Sequence, residues 1–266
     1  MHMTTQTASM IDPNPIHGRT TLPVIGAPID ALSTEQAIRR ISEWGRAGES
    51  RYVCICNVHS VVTASQDPAY QQVIANADMA TPDGAPVAWM LRRMGAQGQT
   101  RVSGPDLMLD YCEHAARTGE SIFLFGSTQN TLDDLTRALQ QRWPALRIAG
   151  ALSPPFRAST AEEDAEYVHA INASGAGTVW VSLGCPKQER WMAEHRGRIN
   201  AVMIGVGAAF DFHAGTMARA PAWMRSNGLE WLHRLICEPR RLWKRYLLTN
   251  TAYLIASARQ LLRARA

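Results

Sequence analysis

The chain has 266 residues, 46% of them apolar and 19% charged, which excludes a disordered chain, a collagen and a coiled coil and suits one large domain or a domain with an appendage. The net charge of +4 is unevenly spread: from Arg219 to Ala266, ten lysines and arginines face two acids, Glu230 and Glu238, so a +8 tail follows a −4 body. Such a tail points to a polyanion, either nucleic acid or an anionic membrane surface. The longest apolar run, near Ala201–Phe210, falls far short of the ~20 residues that span a bilayer, and no export signal opens the chain. The five cysteines lack C-x-x-C spacing. They predict reduced thiols in a cytoplasmic protein, with no metal site and with Cys54 and Cys56 in the core.

Residues 1–21 are polar and carry Pro13 and Pro15, so a flexible leader is expected. Ser33-Thr-Glu-Gln36 is a capping box that starts a helix to about Arg46. From there β-rich runs alternate with helical patterns. Strands are expected over Tyr52–Cys56, Ser121–Phe125, Arg147–Ala149, Thr178–Leu183 and Val202–Val206. Helices are expected over Val58–Ala64, Ala85–Met94, Asp106–Arg117, Gln129–Arg142, Ala161–Ala173 and Gln188–Arg198. This alternation predicts an α/β fold with a mainly parallel sheet flanked by helices. After about Gly215 the strands stop, and Ala220–Leu235 and Pro239–Arg263 read as two helices. Residues 22–215 thus form the α/β domain and 216–266 a helical, basic appendage. The second helix mixes Leu242, Trp243, Tyr246 and Leu247 with Arg240, Arg241, Lys244 and Arg245. That mixture suits an anionic membrane interface or a packed helix with solvated charges.

In a parallel α/β sheet, ligands bind beyond the carboxyl ends of the strands. Five segments take that position: Asn57, Thr81-Pro-Asp83-Gly84, Phe125-Gly-Ser-Thr128, Gly184-Cys-Pro-Lys-Gln188 and Gly205-Val-Gly207-Ala-Ala-Phe-Asp211. Glycine turns and helix starts at one sheet edge suit a nucleotide-type ligand. Gly205-Val-Gly207 is half a dinucleotide fingerprint, but Phe210 replaces its third glycine and the motif comes late. A nucleotide-dependent oxidoreductase is therefore a weaker reading, as is a non-catalytic polyanion binder. No P-loop, no His-Glu-x-x-His and no Asp-x-Asp after a strand is present, so cations or helix termini would have to neutralise a diphosphate. Asp83, before Gly84 at a helix start, reads either as a helix cap or as a general base. Arg101 reads either as a phosphate ligand or as a surface residue. His59 and His213 lie near loops, and a lone histidine is usually structural. Trp89, Trp191, Trp223, Trp231 and Trp243 are expected in the core or between helices.

Together these blocks resemble the WecG/TagA/CpsF family of bacterial glycosyltransferases, glycosyltransferase family 26. The matching stretches include Ala77-Asp-Met-Ala-Thr-Pro-Asp-Gly84, Arg101-Val-Ser-Gly-Pro-Asp-Leu107, Leu183-Gly-Cys-Pro-Lys-Gln-Glu-Arg-Trp191, Gly205-Val-Gly-Ala-Ala-Phe-Asp-Phe212 and Glu238-Pro-Arg-Arg-Leu-Trp-Lys-Arg-Tyr246. The resemblance covers roughly Leu22 to Asn250, and the order of the blocks makes it specific. It implies a Rossmann-like core and metal-independent, inverting transfer of a sugar from a UDP-sugar to a polyprenyl-diphosphate-linked saccharide. The sugar would be glucose, N-acetylmannosamine or its uronic acid, and the pathway exopolysaccharide or cell-surface glycan assembly. No cofactor and no nucleic-acid partner is expected, and a homo-oligomer is left open. The appendage would hold the protein on the inner face of the cytoplasmic membrane. The resemblance places the catalytic base on Asp83. Substrate contacts are expected from Asn57, Arg101, Gly126, Ser127, Gln188, Gly207, Arg240 and Arg241. Ile55 stands where some members carry threonine, which removes one polar contact.

Overall fold

The structure is a computed structural model that describes residues 19–264; residues 1–18, most of the expected leader, lie outside the described residues. It opens with an antiparallel hairpin that the sequence reading missed, β1 (Thr21–Val24) and β2 (Ala27–Asp30). Pro23 and Pro28 mask its pattern, since proline demotes a strand reading. Its turn residues Ile25 and Gly26 both take positive φ, 44° and 92°, the geometry of a two-residue hairpin turn. Next come α1 (Thr34–Arg46), with its capping box formed as expected, and β3 (Arg51–Cys56). Two helices follow, α2 (Val58–Gln66) and α3 (Pro68–Ala75), then β4 (Met79–Pro82) and α4 (Ala85–Arg93). The middle of the chain supplies α5 (Gly104–Thr118), β5 (Ser121–Gly126), α6 (Gln129–Arg142), β6 (Arg147–Leu152) and α7 (Ala161–Ala173). The body closes with β7 (Thr178–Ser182), α8 (Lys187–His195), β8 (Val202–Gly205) and the short α9 (Ala209–Ala214).

Six strands form one parallel sheet in the order β4-β3-β8-β7-β5-β6. Both faces are covered by helices, so the inner strands are almost continuously apolar. Successive side chains on a strand point to opposite faces, and the core splits accordingly. Cys54, Phe123, Val179 and Met203 pack on one side with α2, α3, α4, α7 and α8. Val53, Leu124, Trp180 and Ile204 pack on the other with α1, α5, α6 and α9. All five cysteines are free thiols, and Cys54 and Cys56 are core residues as expected.

The appendage corrects one expectation. Ala220–Leu235 is not one helix but two, α10 (Ala222–Ser226) and α11 (Glu230–Cys237), separated at Gly228 with φ 71°. A side chain at Gly228 would also meet the Ala85 methyl at 2.8 Å. The long α12 (Pro239–Arg263) then crosses the body and buries Leu242, Tyr253 and Ser257. Tyr253 Oη donates to Pro86 O (2.9 Å), and Gln260 Oε1 accepts from Ile25 N (2.8 Å). Three of the five singled-out tryptophans depart from the expectation of a core or interhelical place: Trp89, Trp223 and Trp243 are 43–61% exposed, whereas Trp231, 41% exposed, meets the Tyr246 ring of α12 edge-on. Trp191 stacks between the rings of Phe125 and His195, at 4.4 and 4.1 Å. Among the described residues, no helix is long and apolar enough to cross a membrane.

Candidate active site

The carboxyl ends of the parallel strands open into one cleft of about 780 Å³, roofed by α11 and α12. Asn57, Asp83, Arg101, Ser127, Gln188, Gly207 and Arg241 all line it; Gly126 and Arg240 do not. Gly126 supports the cleft from within the sheet. Its φ of 115° lets the chain turn so that Ser127 N donates to Ser182 O (2.9 Å). Arg240 is exposed on the outer side of α12.

Asp83 follows the end of β4, and its N–H extends the sheet by donating to Cys56 O (3.0 Å). It does not cap α4: the N-cap is Gly84, with φ 82° and no side-chain cap bond. The carboxyl is thus free for other work. Burial pushes its pKa up to about 6, and the Glu230 carboxylate adds to the rise. Arg101 and a hydrogen bond from Asn57 pull the other way. A carboxylate poised near neutrality is a stronger base than an ordinary aspartate yet still ionised at pH 7.

Asn57 caps α2. Its Oδ1 accepts from Ser60 N (3.2 Å) and Ser60 Oγ (3.4 Å). With the oxygen committed to the helix, the amide N–H side serves Asp83. Gln188 is buried, and its amide is largely committed to protein. Its Oε1 accepts from Gly207 N (3.1 Å), and its Nε2 donates to Glu189 Oε1 (2.8 Å). Ser182 Oγ donates to Gly207 O (2.8 Å), so the turn after β8 is held from both sides.

Arg101 is tied to two acids. Nη1 donates to Glu230 Oε2 (2.9 Å) and Nη2 to Asp106 Oδ2 (3.4 Å). Asp106 also accepts from Ser103 Oγ (2.6 Å) and pairs with Arg219 (2.7 Å). Burial raises the Asp106 pKa, but Ser103 and Arg219 outweigh it and hold the carboxyl below its ordinary value. This network joins residues far apart in sequence and pins the appendage to the body.

Some lining residues escaped the sequence reading. Arg234 and Arg245 reach the cleft from the appendage, beside the expected Arg241. The Nε groups of Arg234 and Arg245 are buried and find no acceptor within the protein. Arg241 and Arg245 stand four residues apart on α12, so they share one face; Arg240 and Lys244 have the same spacing, so the sequence separates the two pairs without saying which one meets the cleft. His59 also lines the cleft, its pKa lowered by burial and by Arg245. His213 lies outside it. Burial drives His213 down to about 4, and its Nε2 sits 2.9 Å from Pro105 O. Phe156, 84% exposed, stands at the rim beyond β6.

The chain can be compared with known proteins on this footing. The family model described as "Glycosyl transferase WecG/TagA/CpsF family" matches residues 22–266. A similar curated protein is the N-acetylglucosaminyldiphosphoundecaprenol N-acetyl-beta-D-mannosaminyltransferase of Bacillus spizizenii. It is 29% identical over 197 residues, which cover 74% of each chain. The family match takes in the hairpin, the whole parallel sheet and the appendage that roofs the cleft, and so this chain belongs to the WecG/TagA/CpsF family and is a glycosyltransferase.

Proposed function

We propose that the protein moves a sugar from a UDP-sugar to a polyprenyl-diphosphate-linked saccharide, with inversion and without a metal, in the assembly of an exopolysaccharide or another cell-surface glycan. The observation that carries this reading is the electrostatic layout of the cleft. A half-buried carboxyl with a pKa of about 6 lines the cleft. Arg234 and Arg245 of the appendage line the same cleft, each with a buried Nε that has no acceptor within the protein, and Arg234 and Arg241 also pair with Glu238. The first suits a base for a hydroxyl and the second suits a diphosphate. Asp83 takes the proton of the acceptor hydroxyl as its oxygen attacks the anomeric carbon of the donor. The bond from that carbon to the UDP oxygen breaks on the opposite face, which inverts the centre. Guanidinium groups of Arg234, Arg241 and Arg245 neutralise the leaving diphosphate. The relative's name supports N-acetylmannosamine as the donor sugar and diphosphoundecaprenol-linked N-acetylglucosamine as the acceptor.

The test is a transfer assay with UDP-N-acetylmannosamine, UDP-glucose and UDP-N-acetylglucosamine, each offered with short polyprenyl-diphosphate-linked N-acetylglucosamine or glucose. Mass spectrometry should read one added N-acetylhexosamine on the N-acetylglucosamine acceptor. A product with glucose alone would replace the donor assignment, and a protein that binds no UDP would sink the reading.

We place the reaction at the inner face of the cytoplasmic membrane. Outside the cleft, α11 and α12 expose Ile236, Trp243, Leu247, Leu248 and Ile255, and the same region carries the exposed Arg240 and Lys244. Apolar side chains among cations suit an anionic interface. Reversing Arg240 and Lys244 to Glu is expected to weaken binding to phosphatidylglycerol vesicles by about 30-fold or more at low salt, since each basic residue near the surface is worth roughly 1 kcal/mol and its reversal adds repulsion. Arg241 and Arg245 are left intact because they face the cleft. Undiminished vesicle binding in flotation would instead make α12 a packed helix with solvated charges.

A further inference from the structure

The base and the cation beside it need something to keep them apart. Arg101 and Asp83 line the same cleft, and the guanidinium acts on the carboxyl electrostatically. A free guanidinium next to a buried carboxylate closes on it and lowers its pKa by about 1–3 units, leaving a poor base. Here both ends of the Arg101 guanidinium are occupied by other acids: Asp106, from the first turn of α5, and Glu230, the first residue of α11. Glu230 is itself held by Arg219 Nε (3.5 Å).

We propose that Glu230 is a positioning residue of the transfer reaction: with the appendage docked, it and Asp106 hold Arg101 away from Asp83, so that the Asp83 carboxylate stays free to accept the proton of the acceptor hydroxyl. The proposal rests on the reading of Asp83 as the base. Glu230 touches no reacting atom and acts through Arg101. Its carboxylate also faces Asp83 as a like charge, which opposes ionisation there and so favours uptake of a proton. The other groups near the base are the Asn57 amide at the cap of α2, His59 on α2 and Asp106 on α5, and Asp106 in turn is paired with Arg219 and Arg225 of the appendage. Arg234 and Arg245 reach the cleft from α11 and α12. Of the acids that hold Arg101, Glu230 alone belongs to the appendage. The base therefore reaches full strength only when α10 and α11 lie on the body, so appendage docking and proton transfer are one event.

The experiment is the pH profile of kcat/KM for the intact protein and for Glu230→Gln, Glu230→Asp, Arg219→Gln and Asp83→Asn. The parent should lose activity on the acid side with a midpoint near 6. Glu230→Gln should move that midpoint down by about one pH unit and lower the plateau about 10-fold, because a weaker base is left. Glu230→Asp should restore part of both. Arg219→Gln, which loosens both Glu230 and Asp106 while leaving their charges, should shift the midpoint in the same direction by less, and it reads the effect even where Glu230→Gln folds poorly. A purely structural role would lower the plateau without moving the midpoint. If Asp83→Asn is inactive while the profiles of the folded Glu230 and Arg219 variants keep the parent's midpoint, this proposal is overturned alone. A fully active Asp83→Asn removes the base and this proposal with it.

Discussion

Asp83→Asn is expected to lose about 100-fold or more in kcat, keep its affinity for UDP, and yet melt at a higher temperature than the parent. The loss follows from removing a general base, which is worth about 10²–10⁴ in rate. The gain follows from linkage. An acid with a pKa of about 6 in the folded protein and 3.8 ordinarily holds its proton more tightly folded than unfolded. The folded state therefore carries a penalty that grows as pH rises from about 4 to about 6 and is complete above that. Taken at face value the difference is about 3 kcal/mol, and partial exposure of the carboxyl to the cleft reduces it to about 1–2 kcal/mol. The variant should thus melt roughly 2–8 °C higher at pH 8, and no higher at pH 3.5, where the parent's carboxyl is protonated too. Calorimetry at the two pH values with steady-state turnover checks both halves. Retained turnover would remove Asp83 from the chemistry, and equal melting at pH 8 would mean that the carboxyl is not strained by its surroundings.

Gly126→Ala should be among the most damaging single-methyl changes in the body. A Cβ there would lie 2.3 Å from Ser182 O, a backbone atom of the neighbouring strand that cannot turn away. The residue also sits at φ 115°, where alanine itself is strained by about 1–3 kcal/mol. Together these predict a loss of ~3 kcal/mol or more, and melting lower by roughly 6–12 °C. Because Ser127 and Ser182 belong to the cleft edge, UDP affinity should fall in parallel. Thermal denaturation and titration calorimetry read the two effects. A variant within about 2 °C of the parent would mean that β5 and β7 separate there more easily than their close approach suggests.

The parallel strands were legible because burial on both faces makes each a short apolar run, and because helices of amphipathic period lie between them. Ser33 and Gln36 marked the start of α1 unaided. The hairpin was not legible, since Pro23 and Pro28 break the β pattern. Nor was the division of the appendage: Gly228 inside a helical pattern is weak evidence of a break until the neighbouring Ala85 is known. The sheet-edge segments pointed to the cleft because strand ends converge in this topology. What each side chain does there was hidden by partners distant in sequence. Arg101 meets Glu230 across 129 positions, and Gln188 meets Gly207 across 19. Trp89, Trp223 and Trp243 misled for a related reason, since tryptophan is large and apolar wherever it sits.

The fastening of α12 to the body determines how the roof can move. Gln260, on the last turns of the helix, is hydrogen-bonded to the hairpin, while the near end meets the body through the short α10 and α11. The roof is thus a strap buckled at its far end. It is held at both ends, so any lifting of the roof at its near end, where Gly215 and Gly228 interrupt the helices, would have to part the Arg101 ion pairs. A bilayer drawing on the outer side of this 25-residue helix, about 37 Å long, would pull at one end on the ion pairs over the cleft and at the other on the separate N-terminal hairpin. Contact with the lipid surface would in that way be felt at the reacting centre as a change in leverage, with no signal passing through the core.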